Sequence, residues 1–182
     1  MLHLSFDPFP GLVTERLILR RLSPGDAQEI FLIRSDESVN EFIDRSPATT
    51  LEDAMNFIEK IDSGINASQS MYWAIQLKTD PTLVGTICLW NIEKEKQQAE
   101  IGFELRPAFQ GKGIMQEAVE MVIQFGFDTM QLQMIIAFPQ FNNKRSLRLL
   151  AKNDFSRNLQ LEQEMSPGLD PYVIYTLSNP NT

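Results

Sequence analysis

The sequence predicts an α+β fold in which a mixed, mostly antiparallel sheet is flanked by helices, all within one domain. Three observations predict it. Ala99, Ile101, Phe103 and Leu105 alternate with Glu100, Gly102 and Glu104, the period of two that a strand with two different faces requires. Shortly after, Ile114, Met115, Ala118, Val119, Val122 and Ile123 fall on one stripe of a helix. Along the chain such segments follow as strand, helices, three strands, helix, strand, helix, strands, the order of a mixed sheet with helices packed on it. The 182 residues suffice for one domain with a sizeable core and are too few for two.

Leu17 to Leu22 reads as the first strand, ended by Ser23-Pro24-Gly25-Asp26. Pro24 has φ fixed near a helical value and starts the helix that carries Ala27, Ile30, Phe31 and Ile33. A second helical stretch runs from Val39 to Ile43 and breaks at Ser46-Pro47. Thr50-Leu51-Glu52-Asp53 has the spacing of a capping box and opens a third helix, with Ala54, Phe57, Ile58 and Ile61 inward and Gly64 as its stop. Tyr72 to Leu77 and Leu83 to Trp90 pair around Lys78-Thr79-Asp80-Pro81; the charged turn Asn91 to Gln98 then leads into the next strand, which Pro107 closes. After the central helix come a short apolar strand, Met134 to Phe138, and a short helix, Ser146 to Lys152. Two last strands, Phe155 to Leu161 and Tyr172 to Leu177, are separated by Ser166-Pro167-Gly168, and residues 179–182 form a frayed tail.

Gln110-Gly111-Lys112-Gly113-Ile114-Met115 lies at the mouth of the central helix. Backbone N–H groups in a first helical turn have no intrahelical partner, and the macrodipole adds positive potential, so an anion is favoured there. Glycines let it approach, Arg106 and Lys112 add positive charge, and no acidic residue stands between Arg106 and Met115. The ligand this reading favours is a pyrophosphate; the alternative is an ordinary strand-to-helix turn that needs positive φ. Two other glycine loops are excluded: Ile114 stands where a P-loop needs Ser or Thr, and Gln116 where a dinucleotide fingerprint needs its third Gly.

A net charge of -8 argues against a nonspecific grip on nucleic acid or an anionic membrane, both of which need basic surface. One cysteine, Cys88, and one histidine, His3, leave no internal disulfide and no zinc cluster, so no metal is expected. The first ten residues lack a basic start and an unbroken apolar stretch, and no stretch reaches transmembrane length, so the expected residence is cytoplasmic.

Four separated motifs carry a family resemblance. Gln110, Gly113 and position 115 fit the Gln/Arg-x-x-Gly-x-Gly/Ala signature of the GCN5-related N-acetyltransferase (GNAT) superfamily, with Met115 as a departure. Thr14-Glu15-Arg16-Leu17-Ile18-Leu19-Arg20 resembles the opening of its RimJ/RimL-like branch, and Ala99-Glu100-Ile101-Gly102-Phe103 that branch's Ala-Glu-Ile-Gly-Tyr strand. Asn143-Lys144-Arg145-Ser146 and Lys152-Asn153-Asp154-Phe155 resemble its Asn-x-x-Ser and Lys-x-Gly-Phe pair. The resemblance covers residues 12–178 as a single domain, with 1–11 an N-terminal extension.

The resemblance implies the GNAT fold, in which the strands before and after the glycine helix splay apart to admit the pantetheine arm of acetyl-CoA. It implies transfer of an acetyl group to a primary amine, a protein N-terminal α-amino group or a small molecule, by direct attack in a ternary complex that leaves coenzyme A. The amides of Gln110, Gly111, Lys112, Gly113, Ile114 and Met115 would hold the pyrophosphate, and those of Phe103, Glu104 and Leu105 would polarise the thioester. Asn143 would contact the pantetheine, and Ser146 would protonate the thiolate, since Leu150 stands where many members have a Tyr. The local alternatives are a helix N-cap for Asn143 and a first-turn hydroxyl for Ser146. For the base, Glu164 and Glu100 are the candidates; Glu104 shares a face with Glu100, so two carboxylates in one cleft would raise a pKa, and water chains would need no base at all. Asp36, Glu37, Glu41 and Asp44 would draw a cationic amine or simply form a solvated face. Two rivals remain: a noncatalytic acyl-CoA-binding module on the same fold, and a mononucleotide-binding regulator. The chain is compatible with a monomer or a homodimer.

Overall fold

The computed structural model describes residues 2–4, 6–165 and 168–180. Among them, one sheet contains eight strands: β1 (Leu12–Val13), β2 (Leu17–Arg20), β3 (Met71–Leu77), β4 (Asp80–Glu93), β5 (Gln98–Leu105), β6 (Met134–Ala137), β7 (Ser156–Arg157) and β8 (Tyr175–Ser178). Their order is β1-β2-β3-β4-β5-β6-β8-β7, antiparallel throughout except at β5 and β6. Helices α1 (Ala27–Ser35), α2 (Glu37–Asn40) and α3 (Leu51–Asn66) precede β3, α4 (Ile114–Gln124) crosses between β5 and β6, and α5 (Lys144–Lys152) and α6 (Leu159–Met165) follow.

The sheet is covered on both faces, which is why β3 reads as a nearly continuous apolar run. Trp73, Ile75, Ile87, Leu89 and Ile101 pack with Ile114, Ala118, Val119 and Val122 of α4 in one core. Tyr72, Ala74, Leu83 and Cys88 face the other way, against Ile30 and Ile33 of α1 and Ala54 and Ile58 of α3. The N-terminal extension closes the first core: Leu2, Leu4, Phe6 and Phe9 pack on it, and the Trp73 Nε1–H donates to the Pro10 carbonyl at 2.9 Å. Among the described residues no helix is long and apolar enough to cross a membrane.

Several expected boundaries move, each for a local reason. The helix α3 passes through Gly64, whose cost of about 1 kcal/mol relative to Ala its capping box and packing outweigh, and it ends at Asn66 before the left-handed Ser68 (φ 54). The second helical stretch is α2, which begins earlier than Val39 because Asp36 caps it, accepting from the Ser38 and Val39 amides. The hairpin turn is only Lys78-Thr79, with Pro81 at the start of a longer β4.

The expected strand Phe155 to Leu161 is wrong. It shortens to Ser156–Arg157, and Asn158 then accepts from the Leu161 amide and opens α6. Glu162 fixes that helix by accepting from Arg157 Nε and from the Ile174 amide, both at 2.9 Å. The last strand is Tyr175–Ser178, and Tyr172 makes only an isolated bridge to Gln140. Of the expected turn Ser166-Pro167-Gly168, the first two residues lie outside the described residues, as do 181 and 182 of the tail.

Candidate active site

The ladder between β5 and β6 holds only Gln98↔Met134, Ala99↔Ile135 and Glu100↔Ile136, whereas β5 stays paired with β4 as far as Leu105. Beyond Glu100 the parallel strands part. The gap belongs to a cleft of about 2430 Å³ that runs from the glycine turn, through the parting, to the face of β4 and β5 beside the α1–α2 segment. That exceeds the roughly 300–1,000 Å³ of a pocket for one small molecule, so there is room for two reactants side by side.

Gly111 (φ 75) and Gly113 (φ 74) are both left-handed, and Gly113 is the N-cap of α4. An added Cβ on Gly111 would meet nothing within 4 Å, so what glycine supplies there is the backbone angle rather than space. Among the described residues, the amides of 111 to 116 donate to no protein acceptor, the first bond of the helix being Glu117 N–H to the Gly113 carbonyl. A row of free donors at the positive end of a helix suits an anion.

The side chains around this turn are arranged differently from the expectation. Lys112 and Arg106 both lie over the Phe109 ring, 5.5 and 5.6 Å from its centroid, and neither lines the cleft. Lys144, Arg145, Arg148 and Lys152 of α5 do line it. Sequence reasoning passed over these four, although their spacing of one, three and four puts the last three on one side of a helix. Gln110 bridges, donating to the Leu105 carbonyl at 3.0 Å and accepting from Arg145 at 2.7 Å, which ties the end of β5 to α5.

The opening motif Thr14-Glu15-Arg16 braces the glycine turn from behind. Glu117, in the first turn of α4, accepts from the Thr14 hydroxyl, from the Arg16 amide at 2.8 Å and from Arg16 Nε at 2.6 Å. Arg16 Nη1 meanwhile donates to the Lys112 carbonyl at 3.0 Å, so the turn's carbonyl is engaged from outside the cleft. These partners hold the Glu117 carboxyl below the usual range against its burial. Glu117→Ala is expected to cost about 1–3 kcal/mol of stability and to weaken anion binding at the turn, read by thermal unfolding and by coenzyme A titration. Unchanged affinity would show that the brace is structural only.

Asn143 is the N-cap of α5, its side-chain oxygen accepting from the Ser146 amide at 3.1 Å. The capping alternative is therefore realised, and among the described residues it leaves the Asn143 amide group and the Ser146 hydroxyl without a protein partner on the cleft wall. Leu150, at the position of the missing Tyr, is fully buried core, and Met115 is also buried while lining the cleft. Asp154 replaces a glycine at φ 62, a left-handed value Asp tolerates better than most residues.

The three carboxylates sit in different surroundings. Glu100 sits where β5 and β6 part, lines the cleft, and has its carboxyl pushed up to about 7 by burial, with the Asn91 side chain pulling the other way. The expected cause, a second carboxylate, does not apply: Glu104 is paired with Arg45, its Oε2 accepting from Nη2 at 2.9 Å. Glu164 is corrected outright; it lies exposed on α6, bonded to Gln160, and is absent from the cleft wall. Asp36 is spent as a cap and Glu37 does not line the cleft, whereas Glu41 and Asp44 stand exposed on its rim.

Phe103, Glu104 and Leu105 line the stretch of β5 that has lost β6. Tyr72 is buried as expected, its hydroxyl donating to Thr86 at 3.0 Å, but Trp90 is 46% exposed and forms part of the cleft floor. Beside it, an added Cβ on Gly102 would lie 3.1 Å from Cys88 Sγ and 3.5 Å from the Trp90 indole nitrogen, so glycine keeps this floor open.

Residues 16–156 match the acetyltransferase (GNAT) domain. An uncharacterized N-acetyltransferase of Bacillus subtilis (strain 168), YoaA, is 30% identical over 174 residues, 94% of this chain and 98% of the relative. Among solved structures, a GNAT-family acetyltransferase from Bacillus anthracis superimposes with a TM-score of 0.78 at 26% identity, covering 93% of this chain and 99% of that one. The ribosomal-protein-S5-alanine acetyltransferase of Vibrio fischeri has a TM-score of 0.79 at 20% identity, covering 94% and 98%.

Proposed function

The chain belongs to the GNAT acetyltransferases, and from that premise we propose that it acetylates a primary amine, the α-amino group of a protein or a small amine, by direct attack on acetyl-CoA in a ternary complex. It is an acetyl-CoA-dependent N-acetyltransferase, and the RimJ/RimL-like type, the acceptor and the residue roles are the proposed part. The observation that carries the assignment is the row of free amides from 111 to 116 opening onto the parting of β5 and β6.

When bound, acetyl-CoA supplies an acetyl thioester. The amides ahead of α4 hold the diphosphate, and the α5 cations Arg148 and Lys152 supply charge for its phosphates. The Asn143 amide group, left free by the capping bond of its oxygen, would bond to the pantetheine. Backbone N–H groups of Phe103 to Leu105 donate to the carbonyl oxygen as charge develops on it. Glu100, poised near 7, would accept the proton of the amine, and the Ser146 hydroxyl would pass its proton to the departing sulfur and take one back from solvent.

Free-thiol release from acetyl-CoA across a library of amines and peptides, with the acetylated product identified by mass, tests this reading. Binding of acetyl-CoA without release on any acceptor would favour the noncatalytic module. Ser146→Ala is expected to lower kcat by about 10²-fold or more with little change in cofactor affinity. Equal turnover removes Ser146 from the chemistry.

A further inference from the structure

Arg34 lies in the last turn of α1 with its guanidinium on the wall of the acceptor half of the cleft, its central carbon 3.8 Å from the centroid of the Phe57 ring. Stacking holds it there. Among the described residues no carbonyl or side chain accepts from its N–H groups, and its pKa is lowered by burial first and by neighbouring Arg45 second, with the Glu104 carboxylate nearby pulling the other way without bonding to it. Arg45, on the same wall, has its donors taken up: Asn40 accepts from its Nε at 2.7 Å and Glu104 from both terminal nitrogens. The remaining carboxylates on this side, Glu41 and Asp44, are exposed on the rim and screened by solvent. A half-buried guanidinium has five donors and here no acceptor, an arrangement that an anion entering the cleft relieves.

We propose that Arg34 recognises an anionic group on the acceptor, a carboxylate or a phosphate, so that preferred substrates carry negative charge at a distance from the amine they present. The inference rests on the assignment of Glu100 as the place where the amine sits. Glu104, beside the two arginines, is four residues along β5 from Glu100, about 13 Å of strand. Amine and anion are therefore on the order of 10 Å apart, about three residues of extended peptide. That is too far for an α-amino acid and suits either an acidic side chain near a protein N-terminus or an ω-amino acid. The chain's charge of -8 gives no long-range attraction for such a ligand, so recognition is local.

The test uses pentapeptide amides of Ser and Ala with a single Glu moved from the second position to the fifth, each against its Gln counterpart, and aminooctanoate against its amide. Binding to the coenzyme A complex is measured by calorimetry, in parallel with thiol release from acetyl-CoA. A Glu at the third or fourth position is expected to bind about tenfold or more tightly than Gln, the fold-change of a charge-assisted hydrogen bond. Arg34→Gln abolishes that difference, and Arg34→Lys, which keeps charge but not the fork, retains a smaller one. Whichever arm shows the difference identifies the source of the anion. No charge preference in either arm, including no detectable binding, overturns the proposal, as does a preference that survives Arg34→Gln. Charge-dependent binding without turnover keeps the Arg34 site and removes the Glu100 reading; equal turnover of acidic and neutral acceptors does the reverse.

Discussion

Replacing Glu100 with Gln is expected to lower kcat by about two to four orders of magnitude, the usual contribution of a positioned general base, while acetyl-CoA affinity stays nearly constant. Glu100 is the carboxyl that combines a place on the cleft wall with a strongly raised pKa, and its position at the last rung between β5 and β6 puts it beside the gap. A carboxyl near 7 is half ionised at neutral pH, so kcat/KM of the wild type should rise with pH through that value and level off above it. The variant should lose this limb. A full-strength enzyme with Gln at 100, or an unchanged pH profile, would leave deprotonation to solvent.

The same burial acts on stability, with a definite sign. The Glu100 carboxyl in the folded protein is raised to about 7 from its ordinary value of 4.5. Between the two values the folded state holds the extra proton, so stability is full below 4.5 and falls as pH rises through 7. Glu100→Gln should flatten that part of the stability profile, measured by thermal unfolding across pH. A variant that is less active but no less stable at alkaline pH is the signature of a group kept for chemistry rather than for folding.

Gly113→Glu is expected to reduce acetyl-CoA affinity by about a hundredfold or more. The left-handed angle at 113 costs a residue with a Cβ about 1–2 kcal/mol, and a carboxylate at the head of α4 opposes the diphosphate. The added Cβ would also stand 3.3 Å from Arg16 Nη2, within the brace that holds the turn. Lys112→Gln is the contrast, since Lys112 points to Phe109 and should cost little. Coenzyme A titration of both variants decides the matter. Retained affinity in a folded Gly113→Glu protein would move the diphosphate elsewhere.

How much of this was legible in the chain depends on whether local pattern or distant contact decides. The strand at 98–105, the glycine turn and α4 were readable because period, breaker and cap all agree within a few residues. The Glu100 candidacy was readable from its place in a motif, but the cause of its raised pKa was not, because Arg45 lies 59 residues away from Glu104 in sequence. Leu159 and Leu161 alternate like a strand, and only the contacts of Glu162 with Arg157 and Ile174 make a helix of that segment. Arg34 gave no signal at all: its meaning lies in what its neighbours do not offer it, and that exists only in three dimensions.

Among the described residues, the ladder that joins the five-stranded part of the sheet, β1 to β5, to the part made of β6, β8 and β7 has three rungs. Such a seam is closed at one end and open at the other. A long molecule threaded into the open end makes its polar bonds where the main chain has none, and so acts as mortar between two half-walls. On the proposed binding mode the cosubstrate would be part of the masonry, and a protein without it should unfold at a lower temperature than its coenzyme A complex.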